Sequence, residues 1–250
     1  MNVTPVKTHK ITLRDKDLLK LLDRYLPRLK ERSVVAISSK IVAICEGRVV
    51  KMGLVDKDEL IKNEAELYLP RHEYRYHVSL TFTDSMLVAT AGIDESNGDG
   101  YYILWPKRPQ KTVNAVRSYL KKKHKLINIG VVLTDSVTTP LRMGVTGTAI
   151  SHCGFSALNN YIGKTDIFGR RLEFTKVSIM NGLAAASVVA TGEGKEQTPL
   201  AVIEDVPFVK FQDRNPTKKE LKDLNIVLED DLYAPMLTKV KWLSGKKKAK

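Results

Sequence analysis

Apolar and polar residues follow two different periods along this chain, and the change of period predicts its helices and strands. Apolar residues recur at near-helical spacing close to the N-terminus and predict an amphipathic helix; they are Leu18, Leu19, Leu21, Leu22, Tyr25 and Leu29. Runs of strand length predict strands at 33–38, 74–83, 86–91, 127–133, 145–151, 172–177 and 200–206. Helical patterns predict helices at 56–69, 110–123 and 179–190, the last rich in alanine and able to pack closely on a sheet. The mixed order indicates an α/β or α+β fold.

Length and composition limit the class of protein. A chain of 250 residues, 43% of them apolar, can form one large domain or two smaller ones. Two cysteines, Cys45 and Cys153, are typical of a reducing cytosol and not of a disulfide-linked secreted fold. The N-terminal residues have no signal-peptide pattern, and no run approaches the roughly 20 apolar residues of a membrane span. We therefore expect a soluble, cytoplasmic protein.

The formal net charge of +13 indicates anionic partners. The cations are partly concentrated at 121–125 and at 246–250, and the second of these segments is expected to be a disordered tail. Nucleic acid is the first partner that such a charge suggests. However, the sequence has no basic stretch interleaved with aromatic residues and no helix-turn-helix signature. A solvated surface, or a general attraction for nucleotides and other polyanions, is the simpler interpretation.

Three short acidic segments, each beside small or glycine residues, are the main chemical signal. They are 92–97, 134–136 and 192–194, which contain Asp94, Asp135 and Glu193. The first two follow apolar, strand-like runs, and a carboxylate at the end of a buried strand is well placed to hold a divalent metal. Structural alternatives exist for each: an Asx turn at Asp94, a helix N-cap at Asp135 and a solvated helix terminus at Glu193. Together they suggest a metal-assisted phosphate site.

Five motifs follow one another in order along the chain: 39–42 with 46–48, 91–97, 134–136 with Arg142 and Gly144, 163–172, and 192–194 with Pro199. In this order they resemble the motifs of the γ-glutamyl ligases that add glutamate to the precursor of the deazaflavin coenzyme F-420. The resemblance covers roughly four fifths of the chain, to Val209, and defines a ligase-like region at 1–209 with a C-terminal extension at 210–250. It implies the fold of that family, with mixed sheets and flanking helices.

The resemblance implies a ligase that joins L-glutamate to a carboxylate acceptor by a γ-glutamyl-type amide. It also implies GTP or ATP as co-substrate, a divalent metal (Mg or Mn) and a homodimer. Matched positions assign Asp94 and Asp135 to one metal, Ser136 and Glu193 to a second, and Arg142 to catalysis. The positions matched to nucleotide binding are His9, Lys10, Ile11, Thr12, Ser38, Ser39, Lys40, Asn97, Gly192 and Gly194.

These residue types suit amide formation through an acyl-phosphate. Phosphoryl transfer gathers negative charge on several oxygens, which divalent metals held by hard oxygen ligands neutralise. Arginine grips two oxygens of a phosphate or carboxylate at once, so Arg48, Arg142 and Arg170, with Lys40, are candidates for holding phosphates or substrates. The five histidines are scattered and lack metal-ligand spacing, which indicates structural or surface roles.

The chain also departs from the family pattern. Ile44 stands where a lysine is common, 137–141 replaces a glycine-arginine-aromatic stretch, and Asn181 stands where an aspartate is common. Loss of positive positions near the substrate suggests a changed acceptor, such as a folate-type carboxylate instead of the deazaflavin. The alternative hypothesis is a nucleotide- or nucleic-acid-binding module that kept the fold and lost ligase activity.

Overall fold

The computed structural model describes residues 1–73 and 75–248, and it contains helices on both faces of a central sheet. The helices are α1 Leu18–Tyr25, α2 Ser39–Cys45, α3 Lys57–Glu64, α4 Pro109–His124, α5 Ile179–Thr191, α6 Lys218–Lys222 and α7 Ala234–Leu237. The strands are β1 Asn2–Val6, β2 Ser33–Ser38, β3 Val49–Lys51, β4 Leu67–Tyr68, β5 Leu80–Thr83, β6 Met86–Ala89, β7 Tyr101–Ile103, β8 Ile129–Thr138, β9 Val145–Cys153, β10 Leu158–Asn160, β11 Lys176–Ser178, β12 Leu200–Glu204 and β13 Leu243–Ser244. The predicted mixture of helices and strands is confirmed.

The central sheet has five strands in the order β1-β12-β2-β8-β9. Strands β2 and β8 are parallel, and the other pairs are antiparallel. Side chains of β2 alternate between two cores: Val35 and Ile37 face α1 and α4, whereas Val34 and Ala36 face α5. Because both faces of the strand are covered, its sequence is an uninterrupted apolar run and not an alternating one.

The alanine-rich helix α5 packs closely on the sheet, as predicted. A Cβ at Gly147 of β9 would overlap the carbonyl of Ala184, so only glycine allows this distance between strand and helix. Asn181 strengthens the contact, because its Oδ1 accepts the backbone N–H of Ala149 at 3.0 Å. The asparagine that departs from the family pattern therefore joins α5 to β9.

A second, smaller group of strands brings Asp94 towards the central sheet. It comprises a four-stranded sheet, β13-β4-β5-β6, and the pair β3-β7. Helix α3 covers it with a core that includes Leu60, Ile61 and Leu104. The backbone of Asp94 exchanges hydrogen bonds with Ile103 at the end of β7. These hydrogen bonds fix the position of the Asp94 backbone in the loop that follows β6.

The C-terminal extension lies against both parts of the molecule. Phe211 packs on the core under α5, and β13 pairs with β4 at the edge of the smaller sheet. Disorder was expected from Lys246 onwards, but the backbone N–H groups of Lys246 and Lys247 donate to the carbonyls of Lys62 and Ala65. Residues 249 and 250 of the predicted tail lie outside the described residues.

Several predicted elements differ from the observed ones. The predicted helix at 56–69 ends at Glu64, and Leu67–Tyr68 forms β4 because these residues pair with β5. The predicted strand at 74–83 is limited to Leu80–Thr83, with Tyr74 outside the described residues, and that at 172–177 to Lys176–Ser178. The first predicted helix ends before Leu29, since Pro27 disfavours helical backbone at Leu26. Across the described part of the chain, no helix has the length and hydropathy to cross a membrane.

Candidate functional site

The three acidic segments meet at one pocket of about 490 Å³. It opens where the parallel strands β2 and β8 end together, since Ser38 lies beside Thr134 in their register. The carboxyl ends of neighbouring parallel strands are the usual place for a ligand crevice in such sheets. Asp94, Asp135 and Glu193 all line the pocket, so the fold brings together residues up to 99 positions apart in sequence.

Asp135 is the most enclosed of the three carboxylates. It lies inside β8, which continues to Thr138 because it pairs with β9 beyond a bulge at Leu133 and Thr134. The N-cap alternative for Asp135 is therefore wrong. The indole N–H of Trp105 donates to its Oδ2, and the backbone N–H of Ser136 donates to its Oδ1 at 2.9 Å. Burial raises the pKa of the Asp135 carboxyl to about 6 despite these two hydrogen bonds, and the nearby charge of Asp94 adds to the rise.

Gly92 explains how Trp105 reaches Asp135. Its φ is +72°, a left-handed conformation that favours glycine. A Cβ at this position would overlap the indole ring of Trp105. The first residue of the 92–97 segment thus leaves room for the aromatic side chain that holds the carboxylate of the 134–136 segment.

Asp94 is paired with the pocket's central cation. The Nζ of Lys40, on the first turn of α2, lies 2.7 Å from Asp94 Oδ2. The same Nζ donates to Ser96 Oγ at 2.9 Å and to the Ser96 carbonyl at 3.1 Å. Burial opposes ionisation of Asp94, but the hydrogen bond and charge of Lys40 outweigh it and hold the pKa of this carboxyl below its usual value. Ser96 N–H also donates to Asp94 Oδ1 at 2.6 Å, which is the contact of an Asx turn. Asp94 therefore forms the turn and lines the pocket at the same time.

The third acidic segment begins where α5 ends at the cap residue Gly192. The Asn97 Nδ2 donates to the carbonyl of Gly194 at 3.0 Å, which joins the first and third segments directly. Burial raises the pKa of the Glu193 carboxyl, while Lys40 and a hydrogen bond from the Ser136 side chain act against the rise. The Glu193 residue as a whole is exposed at a helix terminus, as its structural alternative predicted, while its carboxyl is partly enclosed on the side that faces the pocket.

The donor set fits a divalent cation in chemistry but is not assembled as a finished metal centre. Three carboxylates and the Ser136 hydroxyl supply the hard oxygens that Mg²⁺ and Mn²⁺ prefer. The charge of Asp94 raises the pKa values of both Asp135 and Glu193, a repulsion that a cation placed among them would relieve. Among the described residues, however, no three His, Cys, Asp or Glu side chains are grouped closely enough to hold one ion. Lys40 neutralises Asp94 in the arrangement observed.

The opposite wall of the pocket is an irregular segment near the N-terminus. His9, Lys10 and Ile11 of this segment line the pocket. Other residues of the predicted nucleotide set line the same pocket: Ser38, Lys40, Asn97, Gly192 and Gly194. The N–H of Thr8 donates to the carbonyl of Gln197 at 2.8 Å, which links this wall to the loop after α5. Most positions expected to contact a nucleotide therefore surround one cavity.

Other predicted residues lie elsewhere. Thr12 stands behind the wall with its N–H bonded to Asp15, and Ser39 is buried at the first position of α2. Arg142 is exposed in the turn between β8 and β9 and does not line the pocket of its own chain. Arg48 pairs with Glu64 at 2.7 Å, and Arg170 lies in the loop between β10 and β11.

The structure also adds Trp105, which the sequence did not indicate, as the residue that holds Asp135. Trp105 carries no motif signal, and only the glycine at position 92 hints at a bulky neighbour. Asp99 lines the pocket from the loop at 94–100, whose glycine and asparagine residues tolerate positive φ and let it wrap closely around a ligand. Ile44, which departs from the family pattern, lines it beside Ile41 and gives the pocket an apolar corner. Periodicity could not reveal the contact of Trp105 with Asp135, because it joins segments distant in sequence.

Comparison with known proteins agrees with this geometry. The family model described as F420-0:Gamma-glutamyl ligase matches residues 6–205. A coenzyme F420:L-glutamate ligase of Methanococcus maripaludis strain C7 is 30% identical over 222 residues, 83% of this chain and 87% of the relative. The protein of the same name from Methanopyrus kandleri is 28% identical over 218 residues, 81% of this chain and 86% of the relative.

The family match covers the whole pocket, from the His9 wall to the loop after α5. The matches agree with the ordered motifs and give no support to the alternative of a binding module without activity. The chain therefore belongs to the F420-0:gamma-glutamyl ligase family and is a glutamate-ligating enzyme.

Proposed function

We propose that this enzyme uses GTP or ATP and a divalent metal to join L-glutamate to a carboxylate acceptor by a γ-glutamyl-type amide. The observation that carries the proposal is the convergence of Asp94, Asp135 and Glu193 on one pocket around Lys40. Such a site combines oxygen ligands for a cation with an ammonium group that can hold phosphate oxygens. The names of the relatives, coenzyme F420:L-glutamate ligases, support glutamate as the amine substrate.

The proposed chemistry proceeds in two steps. An oxygen of the acceptor carboxylate attacks the γ-phosphorus of the nucleotide, which forms an acyl-phosphate and releases the nucleoside diphosphate. The amine of glutamate then attacks the acyl carbon, loses a proton and expels phosphate. Asp94 and Asp135 would hold one divalent cation, and Ser136 and Glu193 would contribute to a second; when bound, such cations would neutralise charge on the phosphate oxygens. Lys40, free to leave Asp94 once that charge is compensated, would hold a phosphate oxygen.

The acceptor is proposed as the deazaflavin coenzyme F-420 precursor or a folate-like carboxylate. The relatives' names favour the deazaflavin. Ile44, in place of the common lysine, makes one corner of the pocket apolar and favours an altered acceptor. Mass spectrometry of small molecules that co-purify with the protein distinguishes the two, because deazaflavin and folate cores differ in mass and absorbance.

The activity is tested by phosphate release from purified protein with GTP or ATP, Mn²⁺ or Mg²⁺, glutamate and each acceptor. We expect Asp135→Asn and Asp94→Asn to lower kcat at least about 100-fold, the scale of losing one preorganised charge-stabilising group. Asp223→Asn is the matched control, since this carboxylate pairs with Lys219 on the surface of α6 and lies outside the main pocket. Failure of the wild-type protein to bind either nucleotide in calorimetry with metal present would refute the proposal.

We also propose that the enzyme is a homodimer. Fully or largely exposed apolar side chains lie in the β8–β9 turn, in the β10–β11 hairpin and on α5: Leu141, Met143, Ile167, Phe168, Phe174 and Val189. An exposed apolar surface of this kind is typical of an interface between protein chains, and a second copy is the occupant that the family resemblance implies. We expect a dimer mass in sedimentation analysis and dissociation on Phe168→Glu; a monomeric wild-type protein at micromolar concentration contradicts the proposal.

Both cysteines are free thiols, which supports a reducing, cytoplasmic location.

A further inference from the structure

The segment 8–12, whose first four residues line the pocket, has no regular secondary structure. These residues belong to neither a helix nor a strand, so no backbone ladder fixes them. Irregular backbone at a binding site needs other partners for its N–H and C=O groups. Thr8 N–H donates to the Gln197 carbonyl, and the rest of the segment is bonded by two side chains that do not line the pocket, Asp15 and Tyr25.

Asp15 binds this segment at both ends. Its Oδ1 lies 2.9 Å from His9 Nε2, and its Oδ2 accepts the backbone N–H of Thr12 at 2.8 Å. Its own N–H donates to the Thr12 carbonyl at 2.9 Å. Partial burial acts against ionisation, but the hydrogen bonds from Thr12 and His9 keep the pKa of Asp15 below its usual value. One carboxylate thereby fixes the spacing between His9 and Thr12.

Tyr25 completes the arrangement from the end of α1. Its hydroxyl oxygen accepts the backbone N–H of His9 at 3.2 Å and lies 2.6 Å from His9 Nδ1. Both ring nitrogens of His9 are therefore engaged by fixed neighbours, which makes His9 unsuitable as a free base towards the pocket. Because Tyr25 packs against the core under α1, the position of this wall is set by the core itself.

We propose that Asp15 and Tyr25 are positioning residues that hold the His9–Thr12 wall in the conformation that binds the nucleotide. This inference rests on the proposed function, since it assigns the wall to the nucleotide. The two residues act through His9 and Thr12, without contact with the reacting groups. Their loss should weaken nucleotide binding selectively and leave the chemical step and the glutamate site intact.

The chain offers a control for the loss of a tyrosine hydroxyl hydrogen bond at α1. The Tyr119 hydroxyl donates to Asp23, which joins α4 to the same helix α1. Neither residue lines the pocket. Tyr119→Phe therefore removes a tyrosine hydrogen bond at α1 without touching the wall.

The test compares wild type with Tyr25→Phe, Asp15→Ala, Asp15→Asn and Tyr119→Phe. Loss of one or two hydrogen bonds should raise the nucleotide KM and Kd about 2-fold to about 10-fold in Tyr25→Phe, and further in Asp15→Ala. We expect kcat and the glutamate KM to stay within about 2-fold. Asp15→Asn keeps an oxygen for Thr12 and should recover part of the affinity, while Tyr119→Phe should match wild type.

Hydrogen exchange of the unliganded protein gives a second readout. Amides of 9–12 should exchange faster in Tyr25→Phe and Asp15→Ala than in wild type or Tyr119→Phe. A Tyr25→Phe protein with wild-type nucleotide affinity, or one that loses kcat and glutamate affinity in parallel, overturns the inference alone. A wild-type protein that binds neither GTP nor ATP overturns the proposed function, and the inference with it, even where exchange shows that the two residues order the segment.

Discussion

Single residues of the pocket act in pairs drawn from different segments. Trp105 holds Asp135 through its indole N–H, and Gly92 leaves the space that the indole ring occupies. Lys40 neutralises Asp94 at 2.7 Å. Trp105 belongs to no motif and meets Asp135 only through the fold, whereas Lys40 and Asp94 come from two different motifs that the fold brings together. The chemistry of the site therefore depends on side-chain packing as much as on the motifs.

The Gly92–Trp105 contact predicts a large effect for the smallest substitution. Gly92→Ala places a Cβ inside the indole ring and forces a left-handed φ on a side-chain-bearing residue. We expect a loss in the free energy of unfolding of about 2–4 kcal/mol, the sum of backbone strain and overpacking. Gly53→Ala is the matched control, because Gly53 has a φ of +83° but open space around it, so it should cost only about 1–2 kcal/mol. Equal losses in urea denaturation of the two variants would contradict the role of Trp105.

The residue types of the site could be predicted from sequence, but their partners could not. Asp94, Asp135 and Glu193 stand out because carboxylates beside glycines after apolar runs suggest ligand binding. The contact of Trp105 with Asp135 spans 30 positions and that of Asn97 with Gly194 spans 97. Such contacts depend on how the smaller sheet sits against the central one, and local periodicity holds no information on that arrangement.

At the scale of elements, strands buried on both faces were the easiest to predict. β2 and β12 match their predicted positions because their apolar runs are bounded by polar turns. β8 was predicted too short, since Asp135 and Ser136 look like the start of a loop but pair with Thr148 and Gly147. The helix α2 was missed because seven residues are too few to show a helical period. Pairing partners, not local composition, decided these cases.

Strand β9 also predicts a dependence of stability on pH. Burial lowers the pKa of His152 to about 4, and the charge of Glu220 opposes this shift. The imidazole ring meets the ring of Phe155 edge-on. The unfolded chain binds a proton near pH 6.5, but the folded chain does not until about pH 4. Stability from His152 should therefore be lost as pH falls from 6.5 to 4, by up to about 3 kcal/mol.

Urea denaturation at pH 7, 5.5 and 4.5 measures this dependence. The raised pKa of Asp135 acts in the opposite sense over the same range, because protonation of that carboxyl favours the folded state. The informative quantity is therefore the difference in free energy of unfolding between wild type and His152→Gln, which should shrink or reverse towards low pH. His72→Gln, at an exposed position, should leave the wild-type slope unchanged. A His152→Gln slope equal to wild type contradicts a buried neutral histidine.

At the scale of the whole molecule, the C-terminal extension fastens the smaller sheet to the rest of the chain. Phe211 packs on the core under α5, whereas β13 pairs with β4 more than 170 positions earlier in the chain. Composition pointed to a polar extension with a disordered tail, because lysine-rich sequences seldom bury enough apolar surface to fold. The apolar residues within it are therefore decisive, and Trp242 is the largest of them.

The contact of Trp242 tests whether the extension stabilises the fold without serving the pocket. Its ring meets Phe82 of β5 edge-on with centroids 4.6 Å apart, and its indole N–H donates to the Leu237 carbonyl at 2.8 Å. Trp242→Ala should lower the free energy of unfolding by about 2 kcal/mol, through lost apolar burial and the aromatic pair. Trp242→Phe keeps much of the ring contact and should lose less than Trp242→Ala. Because neither residue of the aromatic pair lines the pocket, nucleotide affinity by calorimetry should match wild type in both variants. Wild-type stability in Trp242→Ala would show that the extension does not hold the smaller sheet, and weakened nucleotide binding in a folded variant would show that it reaches the site.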